Sequence, residues 1–251
     1  SSAASDVYKR QAYTKNGQPA EAKKVYDAIL GLKPEEKDAY FLRGSAELEL
    51  GDYESAKADF DQAISMDPKN YDRLIEIYEA LAAHGYREVG QEYLQNVLDT
   101  AKQLDAYDSG RIYYYLGEYQ KAYLALDEAR DKGGADSYLY LGRAYAATGD
   151  YNYASSVYNN YLSKQGPNAE IYNELGLCEM AKKEYQNALA AFQAGKQIEG
   201  NSLMQTLCFN EIVAYEYLED YQQAEVLMNA YLQNYPDDQT AIREQQFLST
   251  R

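Results

Sequence analysis

Arg111 and Arg143, 32 residues apart, are the cations in this sequence best placed to do chemistry, because Tyr107, Tyr114, Tyr115 and Tyr140 flank them in an acidic chain. A guanidinium can grip a carboxylate through paired hydrogen bonds and can also stack on an aromatic face. Such a cluster would recognise a ligand that is acidic and apolar. The alternative is internal: each arginine pairs with a nearby acid such as Asp108, Glu118 or Glu174 and binds nothing.

Catalytic chemistry is harder to assemble. The single histidine, His84, precedes Gly85 at an expected helix C-terminus, where an imidazole faces the helix dipole. Cys178 and Cys208 form no CxxC pair and have no second histidine for a metal site or a thiol dyad. They fall in adjacent first helices, so a disulfide is conceivable, but two unpaired thiols are the expectation. The sequence contains no phosphate-cradling GxxxxGK[ST] or GxGxxG and no GxSxG elbow. Carboxylates such as Glu47, Glu49, Asp52 and Glu54 read as a solvated acidic face. No enzyme, cofactor or metal is expected.

The elements that position these residues repeat. Residues 38–68, DAYFLRGSAELELGDYESAKADFDQAISMDP, align with residues 136–167, DSYLYLGRAYAATGDYNYASSVYNNYLSKQGP, when Gly44 is set over Gly142. Tyr40 then falls on Tyr138, Gly51-Asp52-Tyr53 on Gly149-Asp150-Tyr151, Ala56 on Ala154, and Phe60 on Tyr158. A small residue opens each second helix at Ala22, Ala56, Gly90, Ala122, Ala154, Ala188 and Ala224, at intervals of 32 to 36 residues. A period of this length is that of stacked helical hairpins. Within one repeat, Ala122, Leu126 and Ala129 recur at i, i+4 and i+7, a helical face. Gly110 would allow two helices to approach closely, and Gly117 would take a left-handed cap. Pro34, Pro68, Pro167 and Pro236 would end second helices.

This pattern resembles the tetratricopeptide repeat: a large aromatic, Leu-Gly, Tyr, a Gly-Asp-Tyr turn, Ala, an aromatic, Ala and Pro. The resemblance covers nearly all of the chain from Ala12. It implies an all-α, right-handed superhelical solenoid of about seven repeats, at about 12–36, 37–70, 71–102, 103–134, 135–168, 169–204 and 205–238, with a capping helix at 239–251. Three departures loosen single repeats: Arg43 replaces the leucine seen at Leu141 and Leu175, Lys183 replaces the turn glycine, and the third repeat keeps only Gly85, Gly90, Leu94 and Val97 clearly.

Residues 1–11, SSAASDVYKRQ, back-translate simply to what resembles a transposase sequencing adapter and are read as a non-native leader. Asp plus Glu number 40 against 24 Lys plus Arg, a formal charge of −16. An acidic surface repels phosphate backbones, which argues against nucleic acid as a partner. No apolar run reaches the roughly 18 residues that span a bilayer. Tyrosine is abundant, 29 residues with no tryptophan. About half of these, including Tyr13, Tyr26, Tyr40, Tyr53, Tyr138 and Tyr158, fall at signature positions and are expected in the core. Tyr107, Tyr114, Tyr115 and Tyr140 are not accounted for in that way.

The resemblance implies a concave groove lined by first helices, with Tyr107, Arg111, Tyr114, Tyr115, Tyr140, Arg143 and Asn173 on it, and by register also Leu48, Ile75, Leu139 and Glu216. The Lys-plus-Asn set of the carboxylate-clamp subfamily is absent. The implied function is a non-catalytic scaffold binding a peptide segment of a partner protein. Two other readings stay open: an interaction arm of a larger protein whose N-terminal part carries an enzyme or membrane anchor, and an array that self-associates. Composition resembles acidic, tyrosine-rich bacterial repeat lipoproteins, which leaves bacterial cytoplasm and cell envelope both open.

Overall fold

The computed structural model describes residues 18–131 and 134–250; the leader, residues 1–11, lies outside the described residues. Fourteen helices and no strand occur among the described residues. The chain divides into two compact units, one ending at Leu104 and one starting at Asp105. The first holds α1 (Pro19–Leu32), α2 (Lys37–Glu49), α3 (Tyr53–Met66), α4 (Tyr71–Ala83) and α5 (Arg87–Thr100). The second holds α6 (Ala106–Tyr115), α7 (Tyr119–Ala129), α8 (Gly134–Ala147), α9 (Tyr151–Gln165), α10 (Ala169–Ala181), α11 (Tyr185–Lys196), α12 (Met204–Tyr217), α13 (Tyr221–Asn234) and α14 (Gln239–Leu248). Within each unit a helix packs mainly on its chain neighbours, and first helices also touch one another, α2 on α4, α6 on α8 and α8 on α10. This is the nearest-neighbour packing of a helical-repeat array. Six complete hairpins lie among the described residues; a partner preceding α1 would fall outside them.

Each hairpin turn is made by the same hydrogen bonds. The amide of Asp52 donates to the Glu47 carbonyl at 2.8 Å, and Tyr86, Glu118, Asp150, Glu184 and Asp220 repeat the bond to Leu81, Tyr113, Tyr145, Glu179 and Tyr215. These six-residue closures cap the orphan carbonyls of the first helix and require a left-handed residue just before the donor. Glycine supplies it at Gly117, φ 79°, as expected, but Lys183 keeps φ 65° without being glycine. Glu219, φ 60°, does the same and was not recognised in the sequence. The next helix then starts on a side-chain cap: Asp52, Asp150 and Asp220 accept the amides of Ser55, Tyr153 and Gln223.

In four hairpins the two helices meet at a first-helix glycine, Gly44, Gly110, Gly142 or Gly176. A β-carbon on Gly142 would stand 2.3 Å from Cζ of Tyr158, and one on Gly176 would stand 2.3 Å from Cε1 of Phe192. The small residues opening second helices, Ala22, Ala56, Ala122, Ala154, Ala188 and Ala224, are all fully buried. The weak third repeat follows a different solution. Tyr78 stands where Gly44 and Gly142 stand, and the second helix makes room with Gly90, whose β-carbon would lie 2.9 Å from the Tyr78 ring, and with Leu94 in place of Phe60.

Arg43 at the leucine position is also compensated. It donates to both oxygens of buried Asp59, from Nε at 2.6 Å and Nη2 at 2.7 Å, and to Asp27 at 2.9 Å. The tyrosine expectation needs correction. Tyr26, Tyr138 and Tyr158 are buried, but Tyr40, Tyr53, Tyr145 and Tyr185 are only half-buried. Many of these rings stack in pairs instead, Tyr53 on Tyr86 at 4.1 Å and Tyr123 on Tyr145 at 4.4 Å. An aromatic ring with a polar tip suits such an edge, because its hydroxyl stays near water. Cys178 and Cys208 are both free thiols, and burial pushes the Cys178 thiol up to about 12. His84 caps α4, with Nδ1 2.9 Å from the Ala80 carbonyl oxygen.

Candidate functional site

The expected recognition residues all lie in the second unit, on α6, α8 and α10. Helix α6 begins with the Asp105 side chain accepting the Asp108 amide, and its ten residues put Tyr107, Arg111 and Tyr114 on one face. Gly110 seats α6 against Leu126 of α7, so this face is rigidly backed. Helix α8 is fixed by Gly142 in the same way, and α10 starts on the Asn168 side chain, which accepts the Ile171 amide at 3.0 Å.

Three tyrosines form a closed cluster across α6 and α8. Tyr114 and Tyr115 meet edge to face at 5.4 Å, Tyr114 and Tyr140 at 5.6 Å, and Tyr115 and Tyr140 at 5.8 Å. Their centroid separations are those of favourable aromatic pairs. The Tyr115 and Tyr140 hydroxyls lie 3.0 Å apart, and all three rings are half-buried. Burial raises the Tyr114 pKa, with Arg143 pulling the other way.

Neither arginine stands as a free cation. The Arg111 guanidinium lies 4.3 Å over the Tyr107 ring and donates to Asp108 at 2.6 Å, leaving the residue 7% exposed. Arg143 donates to Glu174 from Nη2 at 2.7 Å and Nε at 3.0 Å, and to Glu170 at 2.9 Å. Burial works against the charge of Arg143, but Glu174 and Glu170 more than offset it and hold its pKa above the ordinary arginine value. Of the acids read from the sequence, Asp108 and Glu174 serve as partners, while Glu118 pairs with Lys121. Glu170 was missed, although it and Glu174 stand i, i+4 on α10 about one repeat length beyond Arg143.

Asn173 is 7% exposed and accepts a hydrogen bond from Asn210 at 2.9 Å, tying α10 to α12. Leu48, Ile75 and Leu139, expected on the groove by register, are buried in the core, because their positions point between neighbouring hairpins. Glu216 on α12 and Glu244 on α14 line one cleft of about 400 Å³, which Tyr217 and Phe247 also line. Burial, then Glu244, pushes the Glu216 carboxyl up to about 7. Among the described residues no group of three or more His, Cys, Asp or Glu side chains gathers as a metal site, and no helix is long and apolar enough to cross a membrane.

The family model described as tetratricopeptide repeat matches residues 11–71, 107–154 and 141–201. No curated protein matches the sequence. Among solved structures, a tetratricopeptide repeat protein from Parabacteroides merdae is similar at a TM-score of 0.65 and 15% identity, over 98% of each chain. PilF from Pseudomonas aeruginosa is similar at 0.52 and 18% identity, over 86% of this chain and 97% of its own. Yeast Tom70 is similar at 0.61 and 14% identity, over 86% of this chain and 48% of its own. At these identities the likeness is one of fold.

Proposed function

Because this chain belongs to the tetratricopeptide repeat family, whose repeats generally mediate protein–protein interaction, we propose that it is a scaffold without catalytic chemistry that holds a peptide segment of a partner along the first helices of its second unit. The segment lies on Tyr107, Tyr114, Tyr115, Tyr140 and Arg143, with Asn173 buried behind them as a tie between α10 and α12. The observation that carries the reading is the Tyr114–Tyr115–Tyr140 cluster: three half-buried rings from two successive first helices, held in fixed geometry by edge contacts and one hydroxyl pair. Tyrosine supplies apolar contact area and a polar tip at little conformational cost, which is why it concentrates at binding surfaces. Arg111 and Arg143 act here as struts, since Asp108, Glu170 and Glu174 already engage them.

That role changes the appropriate test. Truncating the arginines would leave acids unpaired and disturb the fold, so the tyrosines are the residues to remove. A partner captured from a native lysate should bind the Tyr114→Ala, Tyr140→Ala variant more weakly by about 2 kcal/mol or more, with helicity unchanged by circular dichroism. Unchanged affinity, or protection from hydrogen exchange around Asp127 and Asn159 on second helices, would remove this face as the site.

A further inference from the structure

Charge in the second unit is divided unevenly between the two kinds of helix. The first helices α6, α8, α10 and α12 carry seven carboxylates against the two arginines, whereas α7, α9, α11 and α13 carry three carboxylates against three lysines. Apart from exposed Asp136 in the first turn of α8, local pairing leaves a surplus at two places. Asp108 meets Arg111, while Glu179 and Glu211 meet Lys182 and Lys196. Glu170 and Glu174 must share Arg143 alone, and the Glu170 side chain is still 45% exposed. Glu216 shares its cleft with another carboxyl, that of Glu244, and with no cation among the cleft's lining residues.

We infer that the segment bound along this face is basic: its lysine or arginine heads meet Glu170, Glu174 and Glu216, and its stems lie on Tyr114, Tyr115 and Tyr140. This rests on the groove reading above and adds the sign of the partner's charge, reversing the expectation that the arginines grip an acidic ligand. Carboxylates beside tyrosine faces suit such heads twice over, through ion pairing and through attraction of a cation to the ring. Complementary charge also sets which partner is accepted and how fast it arrives. The neutral balance of the second helices directs a cationic segment to one face.

The probes are three fluorescein-labelled dodecapeptides of one leucine pattern with lysine, glutamine or glutamate at every polar position, titrated by anisotropy against the full chain. The lysine peptide should bind about tenfold more tightly than the glutamine peptide, and the glutamate peptide most weakly. Glu170→Gln with Glu216→Gln should abolish most of that preference. Asp127→Asn with Glu128→Gln, which removes two charges from α7, should leave it within about twofold. Equal preference loss in both variants would reduce the effect to net charge and overturn the inference. Tighter binding of the glutamate or glutamine peptide would overturn it while leaving the groove standing, provided Tyr114→Ala with Tyr140→Ala weakens that peptide. If none of the three peptides binds, or the tyrosine variant binds them all unchanged, the groove reading fails and this inference with it.

Discussion

Tyr78 and Gly90 move a ring across the hairpin: where the second repeat sets Gly44 against the second-helix ring of Phe60, the third carries the Tyr78 ring on its first helix, with Gly90 in place of alanine to admit it and Leu94 in place of Phe60. The contact stays complementary because the ring sits on one helix at a time, and a packed core does not admit a second.

Restoring only half of the exchange should therefore fail. Leu94→Phe, which recreates the bulk of Phe60, should destabilise by about 1–3 kcal/mol through overpacking while Tyr78 is present. Combined with Tyr78→Gly it should recover part of the loss, a coupling of about 1–2 kcal/mol. Urea melts of the two single variants and the double variant measure it; strictly additive costs would show that the two side chains do not compete for the same space.

Lys183 and Glu219 hold left-handed backbone at the cost of their β-carbons. Lys183→Gly should raise stability by about 0.5–1 kcal/mol, because relief of about 1–2 kcal/mol of strain exceeds the entropy that glycine adds to the unfolded chain. Gly149→Ala, at φ 85°, should lower it by about 1 kcal/mol. Thermal melts of the two variants should move in opposite directions from wild type.

Arg43→Leu gives the second repeat the leucine that Leu141 and Leu175 supply in two others and should nevertheless destabilise, by roughly 2–3 kcal/mol, since Asp59 is left buried without its cation. Arg43→Leu with Asp59→Leu should regain most of that cost. Equilibrium unfolding of the double variant no better than the single would show that the pair is not the reason for the arginine.

Glu216 gives the chain a pH dependence. Its folded pKa, about 7, lies above the ordinary carboxyl value of 4.5, so the native state holds a proton that the unfolded chain releases. The corresponding stability is fully present below about pH 4.5 and is lost as pH rises through 7. Glu216→Gln should flatten that decline and be more stable than wild type at pH 8 by on the order of 1 kcal/mol, a value kept small because water screens a half-exposed group. Parallel declines of the variant and wild type between pH 5 and 8 would locate the titration elsewhere.

What could be read in the sequence follows from locality. Gly142, Ala154 and Asp150 announce a close contact, a buried small position and a helix cap, because each acts within a few residues of itself. Tyr78 breaks the pattern when read alone, whereas Gly90 keeps it, and the ring makes sense only against Gly90 across the hairpin. The partners of Arg143 were half legible: Glu174 was named, but Glu170 needs the register between hairpins, which no local rule supplies. The Glu216–Glu244 contact joins α12 to a helix outside the repeat pattern, so periodicity could not reach it. Half-buried tyrosines were misassigned to the core because the signature gives a ring's position and not the depth of its hydroxyl.

A repetitive chain can mispair while folding, because one second helix resembles the next. The Tyr78–Gly90 exchange discriminates against that error. If α4 closed on α3 or α7 in place of α5, the Tyr78 ring would meet Ala56 with Phe60, or Ala122 with Leu126, where Gly90 should be. Among the described second helices only α5 has glycine at that position. Among near-identical hairpins, a mismatch that fits one neighbour keeps the order of assembly honest, and shuffled repeats of this chain should aggregate wherever α4 and α5 are separated.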